Sequence, residues 1–213
     1  MYFVSANEVS VWTDTLATTP AGVPAFLVSK ATVLPHLGAI VAVTGALQLG
    51  SRWVEALTTS MVCRDFDMLD RLTPDLLQKI GRDVRDEFGP GMGPSTVYHF
   101  GYSDTLSQLV GFAYRSTKDY ASERLHDNDF GVKPHPQILP SVAPATPEEF
   151  VTLAATIRRE QESKALADRV HIGGHLVCIH MEAGLITIAK VYRFDDFDRQ
   201  WFEMNARLTE QSE

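Results

Sequence analysis

Gly38-Ala39-Ile40-Val41-Ala42-Val43-Thr44-Gly45-Ala46-Leu47 is a run of small and β-branched residues that ends in Thr-Gly and passes directly into an amphipathic segment. The unbroken apolar stretch predicts a strand buried on both faces. Gly45 permits a tight turn and a close backbone approach. Amides at such a strand-to-helix junction lie at the positive end of the helix dipole, a natural place for an oxyanion or another anion. Alone, the stretch also reads as an ordinary buried strand with a glycine turn, so its surroundings decide.

Before it, residues 2–5 and 9–13 read as a hairpin, with Val9, Val11 and Thr13 alternating with Ser10, Trp12 and Asp14. Asp14 falls just after the second strand, where a carboxylate needs a partner or water. Residues 15–22 read as loop. Val23–Val28 and Lys30–Leu34 are short extended pieces closed by Pro35. After it, a first helix is expected from about Ala46 to Leu57, with Leu47, Trp53, Val54 and Leu57 on one side. A second is expected from Thr73 as N-cap with Pro74 at its first position, burying Leu76, Leu77, Ile80, Val84 and Phe88. The run Gly89-Pro90-Gly91-Met92-Gly93-Pro94 ends it in a turn-rich loop.

Thr96–Tyr102 and Leu106–Arg115 read as strands, and Tyr120–Leu125 as a third. Residues 126–147 hold five of the eleven prolines and read as an irregular surface excursion. A third helix opens at Thr146, with Pro147 behind it and Glu149 completing a capping box. Two closing strands, His171–Met181 and Leu185–Tyr192, flank Glu182-Ala183-Gly184, with glycine where a positive φ is needed. Phe197, Trp201 and Met204 recur at helical spacing in a final helix. Helices come in blocks and strands in hairpins, which defines an α+β chain with antiparallel sheets. Two stacked sheets between two helical layers would bury every apolar face named.

This order, with five landmarks, resembles the proteasome β-subunit and HslV group of N-terminal-nucleophile (Ntn) hydrolases. The landmarks are the opening hairpin ending in Trp12-Thr13-Asp14-Thr15, Lys30, the run Ile40–Gly45 with its helix, the aromatic strand Val97–Gly101, and Asp168 with Gly173-Gly174. The resemblance implies a four-layer αββα sandwich whose subunits self-assemble, in that family into rings. It also implies amide chemistry in which an N-terminal Thr, Ser or Cys attacks a carbonyl and its own α-amine is the base. Carried over by position, Lys30 is the lysine that lowers the local pKa, Asp14 its carboxylate partner, and Gly45 the oxyanion donor.

Three catalytic features depart from that pattern. No Thr, Ser or Cys starts the first strand, which opens Met1-Tyr2-Phe3, and Met before Tyr is a poor substrate for methionine removal. Ser5 is four residues in, and cleavage before it would remove the first strand. Ile172 stands where the family has serine before its Gly-Gly pair, and the mid-chain Gly-Ser-Gly turn is missing around residues 112–118. A thioether is no acyl nucleophile, and a fold outlasts its chemistry.

Other constellations are weaker. In a regular strand His171 and His175 share one face and Cys178 and His180 the other, so a metal site would need a bulge at Gly173-Gly174. Asp65, Asp67 and Asp70 resemble half a calcium loop, without the following Gly and Glu. Asp195, Asp196 and Asp198 read as caps of the last helix, and no G-x-S-x-G occurs.

The chain has 213 residues, 45% hydrophobic and 22% charged, and no linker divides it, so one domain over 1–213 is expected. A formal charge of -8 argues against nucleic acid and anionic membrane as partners. No apolar run reaches membrane-span length, the N-terminus has no signal-peptide pattern, and Cys63 and Cys178 lie far apart, which together suit a reduced cytoplasmic setting. The expected function is a proteasome-like, non-catalytic, self-assembling structural or binding protein that uses no cofactor or metal and has room for a peptide or small amide ligand. Its rival is an active threonine or serine peptidase or amidohydrolase after processing.

Overall fold

The computed structural model describes residues 1–19, 21–89, 93–182 and 184–210. Twelve strands and four α-helices run in the order β1 (Tyr2–Val4), β2 (Glu8–Asp14), β3 (Leu16–Thr18), β4 (Pro24–Leu27), β5 (Ala31–Leu34), β6 (Ala39–Thr44), α1 (Leu47–Thr59), α2 (Phe66–Phe88), β7 (Thr96–Ser103), β8 (Gln108–Arg115), β9 (Ser122–Arg124), β10 (Asp129–Gly131), α3 (Pro147–Glu162), β11 (His175–Glu182), β12 (Leu185–Arg193) and α4 (Phe197–Glu210). One sheet has the order β10-β1-β2-β11-β12, the other β5-β6-β7-β8-β9, and β3-β4 form a separate ribbon. Among the described residues all strand pairs are antiparallel.

Alternation along the strands separates the layers. Val9 and Val11 of β2, Ile40 and Ala42 of β6, and Tyr98 and Phe100 of β7 meet Ile179 and Met181 of β11 between the sheets. The opposite face of the second sheet, with Val41, Val97 and Tyr114, packs on Leu49, Trp53 and Leu57 of α1 and Phe66, Leu69 and Leu77 of α2. The outer face of the first sheet, with Trp12 and Leu176, packs on Phe150 and Ala154 of α3, and Trp12 stacks on Phe150 with ring centroids 4.3 Å apart. This is the four-layer αββα sandwich. Among the described residues, no helix is long and apolar enough to cross a membrane.

The expected strand β6 and helix α1 form with shifts of one or two residues at their ends. Thr146 and Glu149 close their capping box, and Gly184 has φ 79°. Other expectations are corrected. The second helix starts at Phe66, not Thr73: Asp65 is its N-cap, accepting from the Met68 amide at 2.7 Å. Thr73 is buried inside it, its hydroxyl donating to the Leu69 carbonyl at 2.7 Å, and Pro74 lies in the helix interior. Phe88 is exposed rather than buried. β3 lies in the segment read as loop, and β10 in the segment read as irregular. Of the predicted loops, residues 90–92, Pro20 and Ala183 fall outside the described residues.

Candidate functional site

Asp14 is the last residue of β2, paired with Leu176 of β11. Its Oδ1 accepts from Lys30 Nζ at 2.7 Å, with the two side chains 14% and 28% exposed. Its Oδ2 accepts from the amides of Leu16 and Gly173, each at 3.2 Å. Lys30 is held in turn by its carbonyl, which accepts from the Val43 amide of β6 at 3.1 Å. One ion pair therefore joins the two sheets at a common end.

Gly173-Gly174 closes the other side. Gly174 has φ 73°, and a Cβ there would collide with Thr15 Oγ1, which accepts from the His175 amide at 2.8 Å. The Gly174 amide donates to Gln200 Oε1 of α4 at 3.1 Å. Gln200 also donates to Asp196 at 2.8 Å, and Asp196 pairs with Arg158 of α3 at 2.8 Å and with Arg199 at 3.1 Å. Asp196, one of the three aspartates read as simple caps, thus also ties the start of α4 to α3 behind the site.

Met1 lies beside β2, its amine donating to the Trp12 carbonyl at 2.8 Å. Burial lowers the pKa of this amine to about 6, with Asp14 opposing that shift and Lys30 adding to it. Gly45 has φ 100°, and a Cβ would lie 2.6 Å from the Pro94 carbonyl oxygen. The next amide, of Ala46, donates to Ser95 Oγ at 3.0 Å. The Gly45 N–H finds no acceptor among the described residues. Thr44, just before it, lines a small cavity of about 50 Å³ together with Met1 and Thr13. Asp14 and Lys30 are thus in direct contact, and Gly45 follows a residue of the cleft where Met1 sits.

Ser5 is elsewhere. Its hydroxyl donates to the Glu8 carbonyl at 3.3 Å and accepts from the Glu8 amide at 3.1 Å, so it builds the β1–β2 turn at the far end of the hairpin. Asp168 is exposed, in a short helical turn. The histidines and cysteine considered for a metal do not gather: His175 packs on Phe197 with centroids 4.6 Å apart, and His180 lies 3.5 Å from Glu182. Among the described residues no group of three His, Cys, Asp or Glu side chains could hold a metal ion.

Sequence reasoning missed β10 and the segment that leaves it. β10 pairs with β1 so that Tyr2 faces Gly131, and the chain runs on through Val132 to Lys133 at the cavity. A signal was present: Val9-Val11-Thr13 and Ile40-Ala42-Thr44 both turn from apolar to hydroxyl at one end of the inner face. Thr44 is paired with Thr96 of β7.

The αββα sandwich and the cleft at its end define an Ntn-like fold. Solved structures of this fold include Anbu (ancestral beta-subunit) from Yersinia bercovieri, 11% identical, aligned over 99% of this chain and 93% of that one with a TM-score of 0.59. An Anbu (Gly-1) mutant from Hyphomicrobium sp. strain MC1 is 13% identical over 99% and 94%, with a TM-score of 0.59. The helical assembly of the Anbu complex from Pseudomonas aeruginosa is 13% identical over 99% and 96%, with a TM-score of 0.53. No family model matches the chain, and no curated protein matches it. The resemblance to the proteasome β-subunit and HslV is therefore corrected: the structural neighbours are Anbu proteins, related to that group but distinct from it. The landmarks that suggested the group are properties of the shared fold, so they do not separate its branches. At these identities the likeness shows the fold alone.

Proposed function

We propose that this chain is a proteasome-like, Ntn-fold subunit, one domain over residues 1–213, that self-assembles and binds peptide-like ligands without turning them over. The carrying observation is the residue beside the Asp14–Lys30 pair. Position 1 is Met, whose thioether cannot form an acyl intermediate, while Ser5 is committed to its turn at the other end of β1. Asp14 keeps Lys30 in place and the Gly173 amide keeps Asp14 in place, a standing frame that supports a binding role for the cleft. Self-assembly is supported by fold likeness to the Pseudomonas aeruginosa Anbu complex, which forms a helical assembly.

The second reading is an amidohydrolase or peptidase, favoured by the 2.7 Å Asp14–Lys30 contact and by the Gly45 amide. One experiment separates the two. The purified chain is incubated with short peptides and acyl amides, with products followed by mass spectrometry, while light scattering reports its solution mass. No product and a multiple of 23.6 kDa are expected. Turnover would overturn the non-catalytic reading in favour of the second, and a monomer at all concentrations would overturn self-assembly.

A further inference from the structure

The cleft contains a cation, Lys133, that no carboxylate pairs with among the described residues. Pairing of Tyr2 with Gly131 brings Lys133 to the cavity shared with Met1, Thr13 and Thr44. This approach needs glycine at 131, since a Cβ there would collide with the Tyr2 ring. Lys133 is exposed as a residue, while the hydrogen bond its ammonium makes is partly buried. Nζ donates to Thr96 Oγ1 at 2.8 Å and stands 5.8 Å from the centre of the Tyr98 ring. Both partners are neutral.

The neighbouring cations are differently placed. Lys30 has Asp14 and Arg115 has Glu123. Among the described residues no carboxylate pairs with Lys133. Burial, helped by the charge of Arg115, lowers its pKa. An ammonium partly withdrawn from water without a counter-charge is costly, and a bound anion would offset that cost. The surroundings favour a small anion: Thr13 and Thr44 supply hydroxyls, Ala42 and Phe100 apolar walls, and about 50 Å³ suffices for a group the size of a carboxylate.

We propose that Lys133 makes this cleft a receptor for the carboxylate of a small peptide-like ligand, with Thr13 and Thr44 as hydrogen-bonding neighbours. The inference rests on the reading that the cleft binds without turnover.

The test is a thermal-shift titration of the full chain at constant ionic strength with three probes. N-acetylalanine carries a terminal carboxylate, N-acetylaspartic acid α-amide a side-chain carboxylate, and N-acetylalaninamide none. At least one carboxylate probe should raise the melting temperature by about 2 °C or more at saturation, the amide should not, and which carboxylate works identifies its source. Lys133→Met should abolish the shift and Lys133→Arg should keep it, so a folding defect in the first variant leaves the second to decide. No carboxylate-dependent shift up to the solubility limit, an equal shift with the amide, an undiminished shift in folded Lys133→Met, or a lost shift in folded Lys133→Arg would overturn the proposal. Probe hydrolysis seen by mass spectrometry would instead overturn the non-catalytic reading, whatever the shifts show.

Discussion

Asp14 holds a lysine and two backbone amides at once, and each bond has a different origin. Lys30 comes from the segment between β4 and β5, Leu16 from the start of β3, and Gly173 from the approach to β11. Asp14→Asn would leave the Lys30 ammonium facing a neutral amide in a half-buried place, at a cost of about 1–3 kcal/mol. Urea unfolding should show that loss, and a variant as stable as the parent would remove the pair's structural role. Gly45 carries a stricter constraint. Its φ of 100° is strained for any side chain, and a Cβ has the Pro94 carbonyl and Ser95 against it. Gly45→Ala should cost more than about 2 kcal/mol, and a neutral result would mean that the junction is laxer than its geometry. These residues were unequally legible. Gly45 could be read from the strand-to-helix junction itself. Contact between Asp14 and Lys30 could not, since they lie sixteen positions apart across two short strands and only the family likeness suggested it. Lys133 was invisible because its neighbours are created by β10.

At the scale of elements, the second helix shows how a local signal misleads. Thr73-Pro74-Asp75 has the chemistry of a helix start, yet Asp65 caps the chain eight residues earlier and Thr73 is buried against the sheet. Packing of Phe66, Leu69 and Leu77 outweighs the N–H that Pro74 withholds. Asp65→Ala should therefore cost about 1 kcal/mol in unfolding free energy, as loss of an N-cap does, whereas Thr73 as cap would make it neutral. Three-residue strands such as β3 and β10 are too short for alternation to register, which is why pairing partners alone define them. Beneath α1, His99 of β7 adds a pH dependence. Its Nε2 accepts from Trp53 Nε1 at 2.9 Å inside the packed layer, and burial lowers its pKa to about 3. The unfolded chain keeps the ordinary value near 6.5, so between about pH 6 and 4 it binds a proton that the folded chain refuses. Stability must fall as pH falls through that window, by about 1.4 kcal/mol per pH unit from this group. His99→Phe should flatten the pH dependence by that slope, though it strands the Trp53 N–H and lowers stability at pH 7. An unchanged slope would show that His99 is not held neutral.

Over the whole molecule, the layer order was legible because strands come in hairpins, helices in blocks, and the central strand is apolar on both faces. Val9-Val11 and Ile40-Ala42 face one another, while Trp12 and Val41 face opposite helical layers. The branch of the fold was not legible, because strand, glycine turn and helix recur wherever this sandwich is built. The same alternation that packs the interior ends in Thr13, Thr44 and Thr96, so the cleft is a product of the sandwich and not an addition to it. Its two lysines differ in kind: Lys30 is neutralised by Asp14 and serves the frame, whereas Lys133 has only neutral partners. The central claim is that this frame stands around a position unable to attack a carbonyl. Intact-mass spectrometry after incubation with a β-lactone, which acylates N-terminal hydroxyl and thiol nucleophiles, tests it most directly. The account predicts an unchanged mass, and one acyl group added per chain within the β1–β2 hairpin would contradict it.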